Sequence, residues 1–323
     1  MLEKAILDDF LIENEKGFYC RYGDFYIDPK FPVDKAVISH AHGDHAVPGH
    51  LSIFATANTI AFMQHRFTKQ AKSSYNKIAN REVFKLGEVE LSFIPAGHIL
   101  GSAQILMQYK DVRYLYTGDY KLQEDSTCEP LEYTEADVLI TETTFADPAV
   151  IHPDPIAEIK KLNTTSLNIM LGCYSLGKAQ RLTNLINTYC PQKTIYTHHN
   201  IAPIHRIYDT HGFVKLSYEI YNRKALKDGQ DKIYLVPPMT FNNYFRAKNV
   251  VRVFASGWKR LQNYNDMTLF ISDHIDWNDL NAFIKQVAPQ EIWTVHGEGK
   301  HLKEHYEGQI KVRNILNAKA GTA

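Results

Sequence analysis

In the first half of the chain, short apolar runs alternate with turns, and each run is too short for a helix and long enough for a strand. Gly17-Phe18-Tyr19-Cys20 and Phe25-Tyr26-Ile27-Asp28 flank Tyr22-Gly23-Asp24, which predicts a hairpin. Further strands are predicted over residues 35–39, 52–55, 89–94, 103–109, 112–117 and 138–141, with one helix over 59–65. The texture changes near Asn163. Asn168-Ile169-Met170-Leu171 reads as a buried strand, and residues 177–189 as an amphipathic helix with Leu182, Leu185 and Ile186 on one face. Strand and helix then alternate to about Val253. Leu269-Phe270-Ile271-Ser272 and Glu291-Ile292-Trp293-Thr294-Val295 are again strand-like. The pattern predicts an α/β protein in three segments: a domain begun over 1–165, a small α/β insertion over 166–254, and completion of the first domain over 255–323. No repeat or low-complexity segment interrupts it.

The polar residues that matter follow the predicted strands. Ser39-His40-Ala41-His42-Gly43-Asp44-His45 puts three histidines and an aspartate into six residues after the strand at 35–39. Imidazole nitrogen and carboxylate oxygen suit zinc and similar divalent ions. His-x-His sets two imidazoles on one side of an extended backbone, and Asp-His directly afterwards can serve a second ion. Two metals about 3.5–4 Å apart can share a hydroxide and clamp a phosphate. His98 follows the strand at 89–94 between glycines, Asp119 follows 112–117, and His274 and His296 follow the two late strands. An aspartate can offer one oxygen to each of two cations, and His296 can close the second site. Such placement gathers the candidates along one rim of a rigid sheet.

Composition bounds the rest. A chain of 323 residues, 44% hydrophobic and 22% charged, can bury a sizeable core. No apolar run approaches the roughly 18–20 residues of a membrane span, and the first residues lack the features of a secretory signal. Cys20, Cys128, Cys173 and Cys190 form no Cys-x-x-Cys pair. A reduced, cytoplasmic protein with a His and Asp metal site is expected. Net charge is zero, but residues 215–260 hold ten Lys or Arg against three Asp or Glu. A basic surface beside an acidic metal centre would suit a polyanionic substrate.

His40-x-His42-x-Asp44-His45, then His98, then Asp119, resembles the signature of the metallo-β-lactamase fold. Thr141-Glu142-Thr143-Thr144-Phe145, Ser272-Asp273-His274 and Val295-His296-Gly297 resemble the extra motifs of its β-CASP nuclease branch. The stretches Gly23-Asp24-Phe25-Tyr26-Ile27-Asp28-Pro29, Pro95-Ala96-Gly97-His98-Ile99-Leu100-Gly101-Ser102-Ala103-Gln104 and Gly118-Asp119-Tyr120-Lys121 with Asp125-Ser126-Thr127-Cys128 are most similar to the bacterial ligase-associated DNA exonucleases. The resemblance implies a four-layer αββα sandwich carrying an inserted α/β β-CASP-like cap, with the site between the two. It implies two divalent ions, zinc with manganese or iron as alternatives. His40, His42, His98 and Asp119 would hold one, and Asp44, His45, His296 and the shared Asp119 the other. A metal-bridged hydroxide would be the nucleophile on a phosphodiester, Asp44 and His274 would serve catalysis, His274 as general acid, and Glu142 would orient it. Asp28 would support a ligand histidine from behind. The activity implied is exonuclease action on DNA in repair, alongside a DNA ligase and a helicase, with no membrane. An RNA-processing nuclease has the same motifs, because both chemistries act on the same phosphate. A small-molecule ester or lactam hydrolase would share the first motifs but not Glu142, His274 and the basic run. The insertion, at about 90 residues, is short for this branch.

Gly172-Cys173-Tyr174-Ser175-Leu176-Gly177-Lys178 also fits the spacing of a phosphate-cradling loop, but Ala179 stands where a magnesium-binding Ser or Thr is required. Ser175 and Lys178 are instead expected to contact substrate phosphate from a helix N-terminus, with Ser102 and Ser272 as further substrate contacts. Tyr120, Phe145 and Tyr174 are candidates to stack on bases. His198 and His199, adjacent on a strand, would point apart and with His205 are read as surface or substrate-side residues.

Overall fold

The computed structural model describes residues 5–68, 73–222, 224, 230–243, 249–263 and 265–315. The chain forms two compact units. The first comprises Met1–Glu124, Glu129–Ile151 and His274–Ala323, and the second Asp125–Cys128 and His152–Asp273.

The first unit contains two sheets. One has six strands in chain order: β1 (Ile12–Asn14), β2 (Gly17–Cys20), β3 (Phe25–Ile27), β4 (Lys35–Val37), β5 (Ser52–Ala55) and β6 (Ser74–Lys77). The other is built from β7 (Phe84–Leu86), β8 (Val89–Pro95), β9 (Ala103–Tyr109), β10 (Val112–Tyr116), β11 (Val138–Glu142), β17 (Glu291–Val295) and β18 (Lys311–Asn314), ordered β18-β17-β11-β10-β9-β8-β7. Strand periodicity assigns their faces. Tyr114 and Tyr116 of β10, Val138 and Ile140 of β11, and Trp293 and Val295 of β17 face Phe18, Phe25, Ile27 and Val37 of the first sheet in one shared core. The residues between them point the other way: Leu115, Leu139 and Ile292 pack against Leu280, Phe283 and Ile284 of the helix Trp277–Val287. Ala36, Ile53 and Ala55 pack outward against Ile60 and Met63 of the helix Ala57–Arg66. The layering is therefore helix, sheet, sheet, helix, the αββα sandwich expected. The predicted hairpin forms, with Phe18 opposite Ile27 and Cys20 opposite Phe25.

The second unit holds a five-stranded parallel sheet of β12 (Asn168–Gly172), β13 (Thr194–Thr197), β14 (Glu219–Ile220), β15 (Lys232–Val236) and β16 (Val250–Phe254), ordered β14-β13-β15-β12-β16. Ile169, Leu171, Ile195, Ile233, Leu235 and Val253 bury one face against Leu182 and Ile186 of the helix Lys178–Tyr189. Met170, Tyr196, Tyr234 and Phe254 line the other with Phe241.

The unit is wider than the 166–254 expected. Ile159 and Leu162 before it, and Leu269 and Ile271 after it, are buried in its core. Asp125–Cys128 joins it because Arg181 Nε lies 3.7 Å from Asp125 and Asn184 donates to Ser126 Oγ at 2.9 Å. The strand expected at Leu269-Phe270-Ile271-Ser272 is reduced to a single bridge between Ala255 and Leu269. Side chains replace the missing strand partner there: Leu269 N–H donates to Gln262 Oε1 and Phe270 N–H to Glu158 Oε2. All four cysteines are buried, and none is in a disulfide. No helix among the described residues is long and apolar enough to cross a membrane. Of the basic run, Arg223, Lys227, Arg246 and Lys248 lie outside the described residues.

Candidate metal centre

Five strand ends of the first unit deliver the predicted residues to one place. His40, His42 and His45 follow β4, His98 follows β8, Asp119 follows β10, Glu142 ends β11 and His296 follows β17. The close approach of the β4 and β10 ends depends on Gly118. Its φ is +56°, and a Cβ there would meet Ser39 Cβ and Oγ at 2.9 Å. His296 itself takes a left-handed backbone, φ 54°, directly after the end of β17.

His40, His42, His98 and Asp119 form one group whose ligand atoms lie within 4.8 Å of one another, and His45, Asp119 and His296 form a second. Asp119 belongs to both. Its Oδ2 is 3.5 Å from His40 Nε2 and 3.8 Å from His98 Nε2, while its Oδ1 is 3.5 Å from His45 Nε2. His42 Nδ1 lies 3.1 Å from both His40 Nε2 and His98 Nε2. Asp44 stands on the open side, its carboxylate exposed and its Oδ2 3.9 Å from His45 Nε2.

The charges of the site depend on one another. Burial would push Asp119 up, but the surrounding imidazoles, His45 foremost, hold it well below the usual carboxylate range. Burial, and then His45, keeps His40 far below an ordinary imidazole. Burial and His42 do the same to His98. Burial opposes charge on His45 as well, yet the facing carboxylates of Asp119 and Asp28 raise it to about 10. His40, His42 and His98 crowd nitrogen to nitrogen beside the ionised carboxylate of Asp119. This donor set would fit a divalent cation.

Asp28 lies behind the histidines. It is buried with φ 42°, which turns its carboxylate toward β4. Oδ1 accepts from Ser39 N–H at 2.7 Å. Oδ2 accepts from Ser39 Oγ at 2.6 Å, faces His45 Nδ1 at 2.8 Å and accepts from Tyr116 OH at 3.1 Å. Glu142 is fully buried. Its two oxygens lie 3.0 and 2.9 Å from His274 Nδ1, one also accepting from Tyr120 N–H and the other from Thr144 Oγ1 at 2.6 Å. His274 Nε2 lies 3.9 Å from Asp119 Oδ2, and Asp119, Glu142 and His274 form a third close group. Sequence reasoning missed Ser39, Tyr116 and Thr144. Tyr116 and Thr144 lie beside motif residues, but their roles arise from contacts that no spacing encodes.

The predicted substrate contacts are held differently from expectation. Ser102 is buried, and its Oγ accepts from the backbone N–H of His98 and of Ile99, so it shapes the His98 loop. Lys178 is buried in the second unit, its Nζ donating to Ile271 O at 2.7 Å and 3.1 Å from Asp273 Oδ2. Ser272 is also buried, with its carbonyl accepting from Arg181 at 2.6 Å. Ser175 is half-buried. Tyr120 is fully buried, bonded to Thr141 and packed on Phe283, so it serves the core and offers no face to a base. Phe145 is buried beside His274, and only Tyr174 of the three is exposed. His198 and His199 do not point apart. β13 ends at Thr197, and the two rings sit 3.9 Å apart in the turn that follows. His205 is fully buried between Gln180 and Thr183, not on the surface.

The description of the Zn-dependent metallo-hydrolase RNA specificity domain (RMMBL) matches residues 267–311, which carry His274 and His296. A protein from Opitutus terrae that carries the name "Probable DNA ligase" is 28% identical over 87% of this chain, which spans 28% of that protein's length. An "RNase J-like protein" from Methanocaldococcus jannaschii is 25% identical over 82% of each chain. These likenesses support the β-CASP nuclease branch of the metallo-β-lactamase family. A crystal structure of a protein of unknown function from Enterococcus faecalis V583 covers 86% of this chain and 78% of its own, at 18% identity and a TM-score of 0.61, a likeness of fold.

Proposed function

We propose that this chain is a two-metal phosphodiesterase acting as a nuclease, first of all a DNA exonuclease in repair. The observation that carries the reading is Asp119, a buried carboxylate with one oxygen toward each of two histidine groups. His40, His42, His98 and Asp119 would hold one ion, and His45, His296, Asp119 and Asp44 the other. When bound, two divalent ions, zinc or else manganese or iron, supply charge for the phosphate and activate a water. His274 donates a proton from Nε2 to the leaving oxygen. Glu142, accepting at Nδ1, holds the ring in that orientation and favours its charged form.

The DNA reading is supported by the ligase-named relative, whose similarity extends over 87% of this chain. The resemblance to ligase-associated exonucleases implies a functional association with a DNA ligase and a helicase. Four buried cysteines outside any disulfide suit a reducing cytoplasm. A second reading, cleavage of RNA, is favoured by the RNA specificity domain over 267–311 and the RNase J-like relative.

End-labelled single- and double-stranded DNA and RNA, incubated with pure protein and manganese or zinc, separate these readings. Metal-dependent laddering of DNA from one end, absent in an Asp44→Ala, His45→Ala double variant, is the expected result. Cleavage of RNA alone would replace the first reading with the second. No cleavage of either polymer would overturn both.

A further inference from the structure

The contacts of Asp28 reach both histidine groups. His45 is held directly, through Nδ1 at 2.8 Å. His40 is held at one remove, because its Nδ1 lies 3.0 Å from Ser39 Oγ, and Ser39 Oγ is 2.6 Å from the same carboxylate oxygen. The direction of these bonds follows from counting protons. A serine hydroxyl has one hydrogen, and at that distance from a carboxylate it is donated to the carboxylate. Ser39 Oγ is then an acceptor toward His40, so His40 carries hydrogen on Nδ1 and presents a lone pair at Nε2. His45, whose Nδ1 faces Asp28, likewise turns its Nε2 to the front. Both Nε2 atoms face Asp119, one toward each oxygen. The two rings, 4.1 Å apart, thus stand between Asp28 behind them and Asp119 in front. Tyr116 OH adds a further donor to Asp28 from β10, the strand that leads to Asp119.

We propose that Asp28, Ser39 and Tyr116 act as one positioning relay that fixes the ring orientation and tautomer of His40 and His45 together. Ser39 serves the first cation site, and Asp28 serves both. The proposal rests on the reading of the two groups as cation sites.

The test is cobalt titration of metal-free protein, following visible absorption and competition with a chelator, with circular dichroism and thermal midpoints as folding controls. Ser39→Ala is expected to weaken one of two bound ions roughly 10–100-fold and leave the other largely unchanged. Asp28→Asn is expected to weaken both. Ser39→Thr, which keeps the hydroxyl, restores the wild-type spectrum and affinity. Tyr116→Phe removes only a hydroxyl and is expected to weaken both ions, by less than Asp28→Asn. Wild-type affinities in Ser39→Ala, or failure of Ser39→Thr to restore them, would remove Ser39 from the relay. If Ser39→Ala does not fold, unchanged cobalt binding in both Asp28→Asn and Tyr116→Phe overturns the proposal by itself. Wild-type protein that takes up no cobalt overturns the cation-site reading and the relay together. Wild-type protein that binds two ions, beside variants that bind them equally well, overturns the relay alone.

Discussion

His45 in the first unit and His205 in the second are both buried histidines, and their surroundings push them in opposite directions. His45 faces the carboxylates of Asp28 and Asp119, which overcome the effect of burial and raise it to about 10. His205 lies between the neutral side chains of Gln180 and Thr183, and burial lowers it to about 4. Burial and hydrogen bonds are common to both. What differs is whether ionised carboxylates face the ring, which separates a cluster built for cations from a histidine used as a core hydrogen-bonding group.

The comparison is broken most severely by removing the shared carboxylate. Asp119→Ala is expected to abolish metal-dependent cleavage, because both histidine groups lose a member, and His205→Gln should leave cleavage intact. Next in size is His274→Ala. Loss of a proton donor should lower turnover roughly 10²–10⁴-fold while metal content stays at the wild-type level by elemental analysis. Equal loss of metal would remove the general-acid role. A smaller effect lies in the second unit and concerns acid stability. The folded pKa of His205 is below its unfolded value, so the unfolded chain takes up the proton first as pH falls. The stability that neutral His205 contributes is present above about pH 6.5 and is lost as the pH falls toward 4, a loss on the order of 3 kcal/mol. Thermal midpoints measured across this range should fall less steeply for His205→Gln than for the wild type. An unchanged slope contradicts the assignment. The smallest effect on activity is expected from Lys178→Met. It should lower the thermal midpoint, since it leaves a buried network around Asp273 short of one cation, without changing KM. A raised KM would return Lys178 to the substrate.

The candidate residues of the opening motif were easy to single out because they follow a β-strand whose alternation is plain in sequence, as Val37 and Ala36 face opposite cores. The αββα layering was expected from the family resemblance, and the same alternation is what realises it. The limits of the second unit were not legible. They are set by Ile159 and Leu162 on one side and Leu269 and Ile271 on the other, which meet in one core from distant parts of the chain. An apolar run such as Leu269-Phe270-Ile271 looks like a strand whether its backbone pairs with a neighbour or with the side chains of Gln262 and Glu158. Lys178 opens a helix as a phosphate-binding lysine would, and only the folded chain turns it inward to Ile271 and Asp273. Tyr116 supports Asp28 across 88 residues of sequence, a pairing no local pattern announces.

The central claim is that one carboxylate, Asp119, serves two cation sites. It is tested most directly by counting the divalent ions bound per chain after metal-free protein is reloaded with zinc and passed through a desalting column, for the wild type and for Asp119→Ala. Two ions in the wild type and a loss from both sites in the variant are the expected result. Two ions retained by the variant, or no more than one in the wild type, would contradict the account.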